Sequence, residues 1–330
     1  MAPGDPFLPP DPFGRSQPSK ELTEGLGVAG ASSTGARVYV KLDMEGITGI
    51  VDEEQLEPGT RQYDLARRML MADLGAVLEG AFAAGCSDAL VYDAHATGRN
   101  VDLGLLDRRA SVIVGRPEPT NDFVYGLDDS FEAMFLVVFH ARAGAPGALF
   151  PHTCDGDIAA VRINGAVVGE IGLEAALAGE FGVPVALVSS DAAGVRETRE
   201  LLGADVATVE VKRAITPTSG ICLSVAETAA LLREAAVEAL QRAPSMPLMV
   251  FPSPVTLDVE FASAESAAAL ESLLGIERTD ERMIRASAPT VVDAYRQFLD
   301  ARGGRAARRT ELRPHAAPRA SAGRLGNPPG

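Results

Sequence analysis

Asp43 and Glu45 stand directly after the apolar run Val38-Tyr39-Val40-Lys41-Leu42, with only Met44 between them. Side chains alternate along an extended chain, so both carboxylates point the same way. They do so at the carboxyl end of a predicted strand, where open α/β sheets hold their ligands. Two carboxylates in one place repel each other and need a cation, a proton or a basic partner. The histidines favour a cation. The chain has four of them, and two close apolar runs of the same kind: His95 ends Tyr92-Asp93-Ala94-His95, and His140 ends Val137-Val138-Phe139-His140. Imidazole with carboxylate is a ligand set suited to zinc and its neighbours, and one carboxylate can bridge two such ions. Alone, Asp-x-Glu reads as a solvated pair entering a turn; beside two histidines at matching strand ends, it reads as part of one metal cluster.

His152 lies just beyond, in the loop signal Phe150-Pro151-His152-Thr153. Its place admits a general base or nucleophile held close to the metals, or a fifth ligand. Glu170 opens a predicted helix, where by itself it is a first-turn acid complementing the helix dipole. His315 falls in an arginine-rich tail and has no assigned role.

The elements that must position these groups alternate short β-branched runs with longer helical windows, the pattern of a mostly parallel α/β sheet. Strands are expected over 38–42, 89–92, 134–139, 183–189 and 206–211. Leu65, Met69, Leu70, Leu74, Val77, Leu78, Ala81 and Phe82 recur at helical spacing and predict a helix over 63–84 that ends at Gly85. Ile158 to Ile163, the turn pair Asn164-Gly165 and Val167-Val168 read as a hairpin. Helices follow over 169–180, 192–202, 225–241, 264–274 and 290–301, with one further strand over 255–261. The fold class expected is α/β: a Rossmann-like, mostly parallel sheet with a second, smaller α+β domain. The boundaries are a Pro-rich disordered extension over 1–36, a catalytic metal-binding domain over 37–211, the smaller domain over 212–302 and a disordered tail over 303–330.

With 330 residues, 46% hydrophobic and 23% charged, the chain is long enough for about two domains and has the composition of a folded protein. Its 45 acidic against 30 basic residues give a net charge of -15, which repels a phosphate backbone, so nucleic acid is not an expected partner. No run reaches the roughly 18 apolar residues of a membrane span, and no signal-peptide core opens the chain. Cys86, Cys154 and Cys222 are odd in number and scattered, forming neither a disulfide framework nor a Cys-x-x-Cys metal site. A cytoplasmic protein is expected.

Taken together, Lys41 through Gly49, Asp93-Ala94-His95, Tyr125-Gly126-Leu127-Asp128-Asp129, His140-Ala141-Arg142-Ala143 and Gly165 through Leu173 resemble the dinuclear zinc D-aminopeptidases, the DppA family of dipeptide-transport-associated peptidases. The resemblance runs from about Arg37 to Ala301 with its blocks in the family's order. It implies that Asp43 bridges two zinc ions per chain, that Glu45, His95, His140 and Glu170 complete the ligands, and that His152 is the catalytic histidine. It also implies hydrolysis of the N-terminal amide bond of short, D-amino-acid-containing peptides by a ring-shaped homodecamer. The span from His140 to His152 is one residue longer than the family's pattern, and the two chain ends fall outside the resemblance.

Two other readings use the same residues. Asp43-x-Glu45 after an apolar strand, with Ser190-Asp191 downstream, is also the outline of a phosphatase of the haloacid dehalogenase type. That chemistry needs an aspartate where Glu45 stands, and it leaves His95 and His140 without a role. A metal-stabilised binding scaffold without catalysis is the third reading.

Overall fold

The computed structural model describes residues 35–115, 125–270 and 275–311, with side chains as far as Gly303. Residues 1–34 of the expected extension, the end of the predicted 264–274 helix and His315 lie outside the described residues. The larger sheet contains β1 (Ala36–Leu42), β2 (Cys86–Asp93), β3 (Ala110–Ile113), β4 (Ala133–Val137), β7 (Val185–Asp191), β8 (Ala207–Thr216) and β9 (Ser219–Cys222), in the order β3-β2-β1-β4-β7-β8-β9. All neighbours run parallel except β8 and β9. From the β1–β4 pair the order runs outward in both directions, so the crevice beyond their carboxyl ends is the topological switch point of a doubly wound sheet.

A second sheet, with order β11-β12-β10-β5-β6, is antiparallel. It joins the hairpin β5 (Ile158–Ile163) and β6 (Ala166–Val168) to β10 (Val255–Phe261), β11 (Ile276–Asp280) and β12 (Met283–Ala288). The α/β class with a smaller α+β layer is as expected, but the division at residue 211 does not follow the sheets. The 158–168 hairpin belongs to the smaller sheet, because β5 pairs with β10 about a hundred residues later, and no local pattern encodes that partner. The helix α4 (Val225–Arg242) packs with α1 (Arg61–Ala83) in the core of the larger sheet, through Leu232, Ala236, Ala239 and Leu240.

Between the two sheets lies α2 (Glu170–Glu180), with every residue from Ile171 to Gly179 buried. Ile171, Ala175 and Ala178 face the larger sheet with Tyr39, Tyr92 and Leu136, whereas Leu173, Ala176 and Leu177 face the smaller one. Apolar side chains all round this helix are the signature of burial on every side. That burial carries Glu170 to the switch point.

Four strands have no counterpart in the sequence reading: β3, β9, β11 and β12. They are short, and β3 and β9 hold no buried residue, so pairing with a neighbouring strand decides them rather than local propensity. The last helix, α6 (Val291–Glu311), follows the short α5 (Ala264–Ala268) and runs past the expected limit at 302 into the segment read as disordered. The Ala- and Arg-rich stretch over 305–309 has high helix propensity, which favours continuing the helix.

Candidate metal centre

The chain leaves β1 at Asp43, runs through a tight loop to Ile50 and enters α1 further on. Gly46 lets this loop lie against the segment after β4: its N–H donates to the Val138 carbonyl at 2.8 Å, and a Cβ here would come within 2.1 Å of the Phe139 oxygen. Both obstructing groups are backbone. Gly46→Ala is therefore expected to cost about 2–4 kcal/mol of stability. Thermal unfolding checks this, and a variant as stable as the parent would show that the loops do not approach so closely.

Buried polar groups fix the same loop from two sides. Asp73 of α1 accepts from the Thr48 N–H and hydroxyl at 3.1 and 3.3 Å, and its burial raises its pKa to about 6. Lys212 of β8 donates to the carbonyls of Glu45, Ile47 and Ile50 at 2.5, 3.0 and 2.5 Å, and burial lowers its pKa to about 8. Sequence reading missed both, since an Asp inside a helix and a Lys inside a strand read as solvent-facing.

Asp93, at the end of β2, accepts from the Asn100 backbone and side chain and from the Val101 N–H, closing the loop that carries His95. Asn100 in turn donates to the His95 carbonyl at 2.9 Å. After β4, Ser189 accepts from the N–H of Val138, whose φ is 58°, and Ser190 donates to the Phe139 carbonyl. These bonds redirect the chain and aim His140 into the crevice. The motif residue Tyr125 has a more distant part: its carbonyl accepts from Tyr39, holding the segment beside β1.

All six expected residues come together. Asp43 Oδ1 is 3.0 Å from His95 Nδ1, and Asp43 Oδ2 is 3.2 Å from His140 Nε2. Glu45 Oε2 lies 3.1 Å from His95 Nδ1, and Glu170 Oε1 lies 3.2 Å from His140 Nε2. His152 stacks on His140 with ring centroids 3.9 Å apart and reaches to 3.8 Å from Glu170 Oε1. One ligand atom from each of Asp43, Glu45 and His140 lies within 4.8 Å of the others, and the same holds for His140, His152 and Glu170. The two groups share His140, and the second admits His152 as a ligand as well as a free base.

The electrostatics follow from crowding three carboxylates in a buried place. Burial opposes charge on Asp43, yet the adjacent His140 and His95 imidazoles outweigh it and hold its carboxyl well below the usual range. Burial likewise disfavours charge on His95, but Glu45 and Asp43 raise its pKa to about 10; Glu170 and Asp43 raise that of His140. A field that holds protons on imidazoles this firmly also attracts a metal cation in their place.

Two further features fit a metal. His140 Nδ1 lies 3.0 Å from the Ala141 carbonyl, which can only accept, so Nδ1 carries a proton and Nε2 is the nitrogen a metal would take in place of its proton. That Nε2 is buried and lies 3.2 Å from two carboxylate oxygens without hydrogen-bond geometry to either. His152 Nδ1 is paired in the same way with the Phe150 carbonyl at 2.9 Å, leaving its Nε2 turned to Glu170.

The phosphatase reading fails on this geometry. Asp43 is in contact with two imidazoles rather than open for attack on a phosphoryl group. Asp191 is the N-cap of α3 (Ala192–Leu202), accepting from Gly194 and Leu149 at 2.8 and 2.7 Å. Its oxygens are committed to backbone.

Carboxylates and imidazoles converging at the switch point of a doubly wound sheet define a metal-site α/β protein. The chain belongs to the D-aminopeptidase family, whose model matches residues 36–299. It is 32% identical over 264 residues to a D-aminopeptidase of Bacillus subtilis (strain 168), covering 80% of this chain and 95% of that protein. A solved structure, the Zn-dependent D-aminopeptidase DppA from Bacillus subtilis, described as a self-compartmentalizing protease, superposes with a TM-score of 0.77 at 31% identity. The match covers 81% of this chain and 97% of that one.

Proposed function

We propose that the protein is a zinc-dependent aminopeptidase that removes the N-terminal residue of short, D-amino-acid-containing peptides at a centre of two zinc ions. The observation that carries this reading is the convergence of Glu45, His95, His140 and Glu170 about Asp43, with His152 stacked on His140. In this reading Asp43 would help hold both metals, since its two oxygens face different histidines. Glu45 and His95 complete one position; His140 and Glu170 complete the other. Zinc, when bound, supplies Lewis acidity, activating water at neutral pH and polarising the scissile carbonyl.

The chain's own groups do the rest. The Phe150 carbonyl fixes the His152 tautomer, so Nε2 can take a proton from the nucleophile and pass it to the leaving amine. The buried Asp43, Glu45 and His140 wall the crevice and keep bulk water from competing. The binding-scaffold reading gives His152 no such work.

Dialysis against a chelator is expected to abolish hydrolysis of a D-alanyl dipeptide, with activity returning on addition of zinc. Hydrolysis of p-nitrophenyl phosphate should be absent in both states. Undiminished turnover by the chelated protein would refute the metal reading, and phosphatase activity would revive the rival.

The resemblance, together with the self-compartmentalizing relative, supports a homo-oligomeric ring of about ten chains. Sedimentation should give that mass, and a monodisperse monomer would reject it. Cytoplasmic location is part of the same reading, supported by three cysteines that are all unpaired. Among the described residues, no helix is long and apolar enough to cross a membrane.

A further inference from the structure

Behind the cluster lies a buried ion pair that the chemistry above does not use. Lys41 Nζ is 2.6 Å from Glu174 Oε1, with the side chains 2% and 5% exposed. Lys41 precedes Asp43 by two residues and so points to the same side of β1. Glu174 follows Glu170 by one turn and lies on the same face of α2. Asp43 and Glu170 meet across His140 Nε2, each at 3.2 Å. The same strand and the same helix are therefore linked twice, once through the metal cluster and once through the ion pair immediately behind it.

Stability does not account for the pair. Taking two charges out of water is costly, and an apolar pair of similar volume commonly serves a fold as well or better. The surrounding contact between sheet and helix is already apolar, through Tyr39, Ile171, Ala175 and Ala178. Non-directional apolar contacts such as these leave a helix free to slide and roll by fractions of an ångström. An ammonium held against a carboxylate at 2.6 Å fixes both distance and direction. The Lys41 ammonium also lies 5.2 Å from the centroid of the Tyr92 ring, three residues before His95.

We propose that Lys41 and Glu174 are positioning residues that set the separation of Asp43 from Glu170, and with it the spacing of the two metal positions. This rests on the two-metal reading above. The pair touches neither substrate nor metal and acts through the strand and helix that carry the ligands.

Cobalt substitution tests it, because the visible bands of cobalt(II) report the geometry of its donors. If the parent protein binds cobalt without such bands, the metal reading itself has failed, whatever the pair does. Given parent bands, Lys41→Met/Glu174→Gln removes both charges together. It is expected to fold, to bind the same number of ions and to melt within about 3 °C of the parent. Its cobalt bands should nevertheless be displaced, and kcat should fall about tenfold with KM little changed. Glu174→Gln alone keeps an acceptor for Lys41 at the same reach and should retain the parent bands. A double variant with parent bands and parent kcat would overturn the proposal, since a merely structural pair predicts that result. Glu174→Asp keeps both charges and shortens the arm by one methylene. It makes the same test if the double variant does not fold: displaced bands support the proposal and unchanged bands overturn it.

Discussion

Asp43→Ala is expected to lose most of the bound metal and at least about 10³-fold in kcat/KM. Among the described residues, Asp43 is the one carboxylate whose two oxygens approach different histidines, Oδ1 to His95 and Oδ2 to His140. Its removal therefore damages both proposed metal positions, whereas loss of Glu45 or Glu170 should damage one. The fold has other supports at this point: the 43–50 loop is held by Asp73, by Lys212 and by the Gly46 bond to Val138. Thermal unfolding of the metal-free forms should accordingly differ little between variant and parent. Elemental analysis decides the matter, and full metal occupancy in Asp43→Ala would refute the bridging role.

The second large effect is expected at His152, where catalysis and metal binding part company. His152→Ala should keep the metal content of the parent and lower kcat by about 10²–10⁴-fold, the usual loss on removing an acid–base group. KM should change less. The ring is 28% exposed, stacked on the buried His140, and 3.8 Å from Glu170 Oε1, farther than the 3.2 Å contacts made by His140. Zinc content falling in step with activity would make His152 a ligand instead, a role that its distance to His140 and Glu170 also admits. Unchanged kcat would mean that the longer span from His140 has carried it away from the chemistry.

Much of this site was legible in the sequence because it is built at strand ends. Asp43, His95 and His140 each follow an apolar run, and a run of that kind in an α/β chain ends at the ligand-binding edge of the sheet. Alternation carried past the end of β1 predicted Asp43 and Glu45 on one side, and the tight loop after Leu42 is what brings both to His95. Glu170 was legible only by resemblance. A glutamate in the first turn of a helix is ordinary, and what brings this one to the cluster is the burial of α2 between two sheets.

The supporting groups were not legible. Lys41, Asp73, Glu174 and Lys212 are charged residues that composition assigns to the surface, yet each is buried and held by partners 25 to 167 positions away. Local sequence therefore determined the parallel sheet, the hairpin, most helices and which residues could ligate a metal, since hydrophobic periodicity and strand-end position are local properties. Tertiary structure alone decided which sheet the 158–168 hairpin joins, where α4 packs, and which buried charges hold the ligands in place. Those outcomes depend on pairings between distant segments. Their free energy comes from burial shared by both partners, and neither segment carries that information by itself.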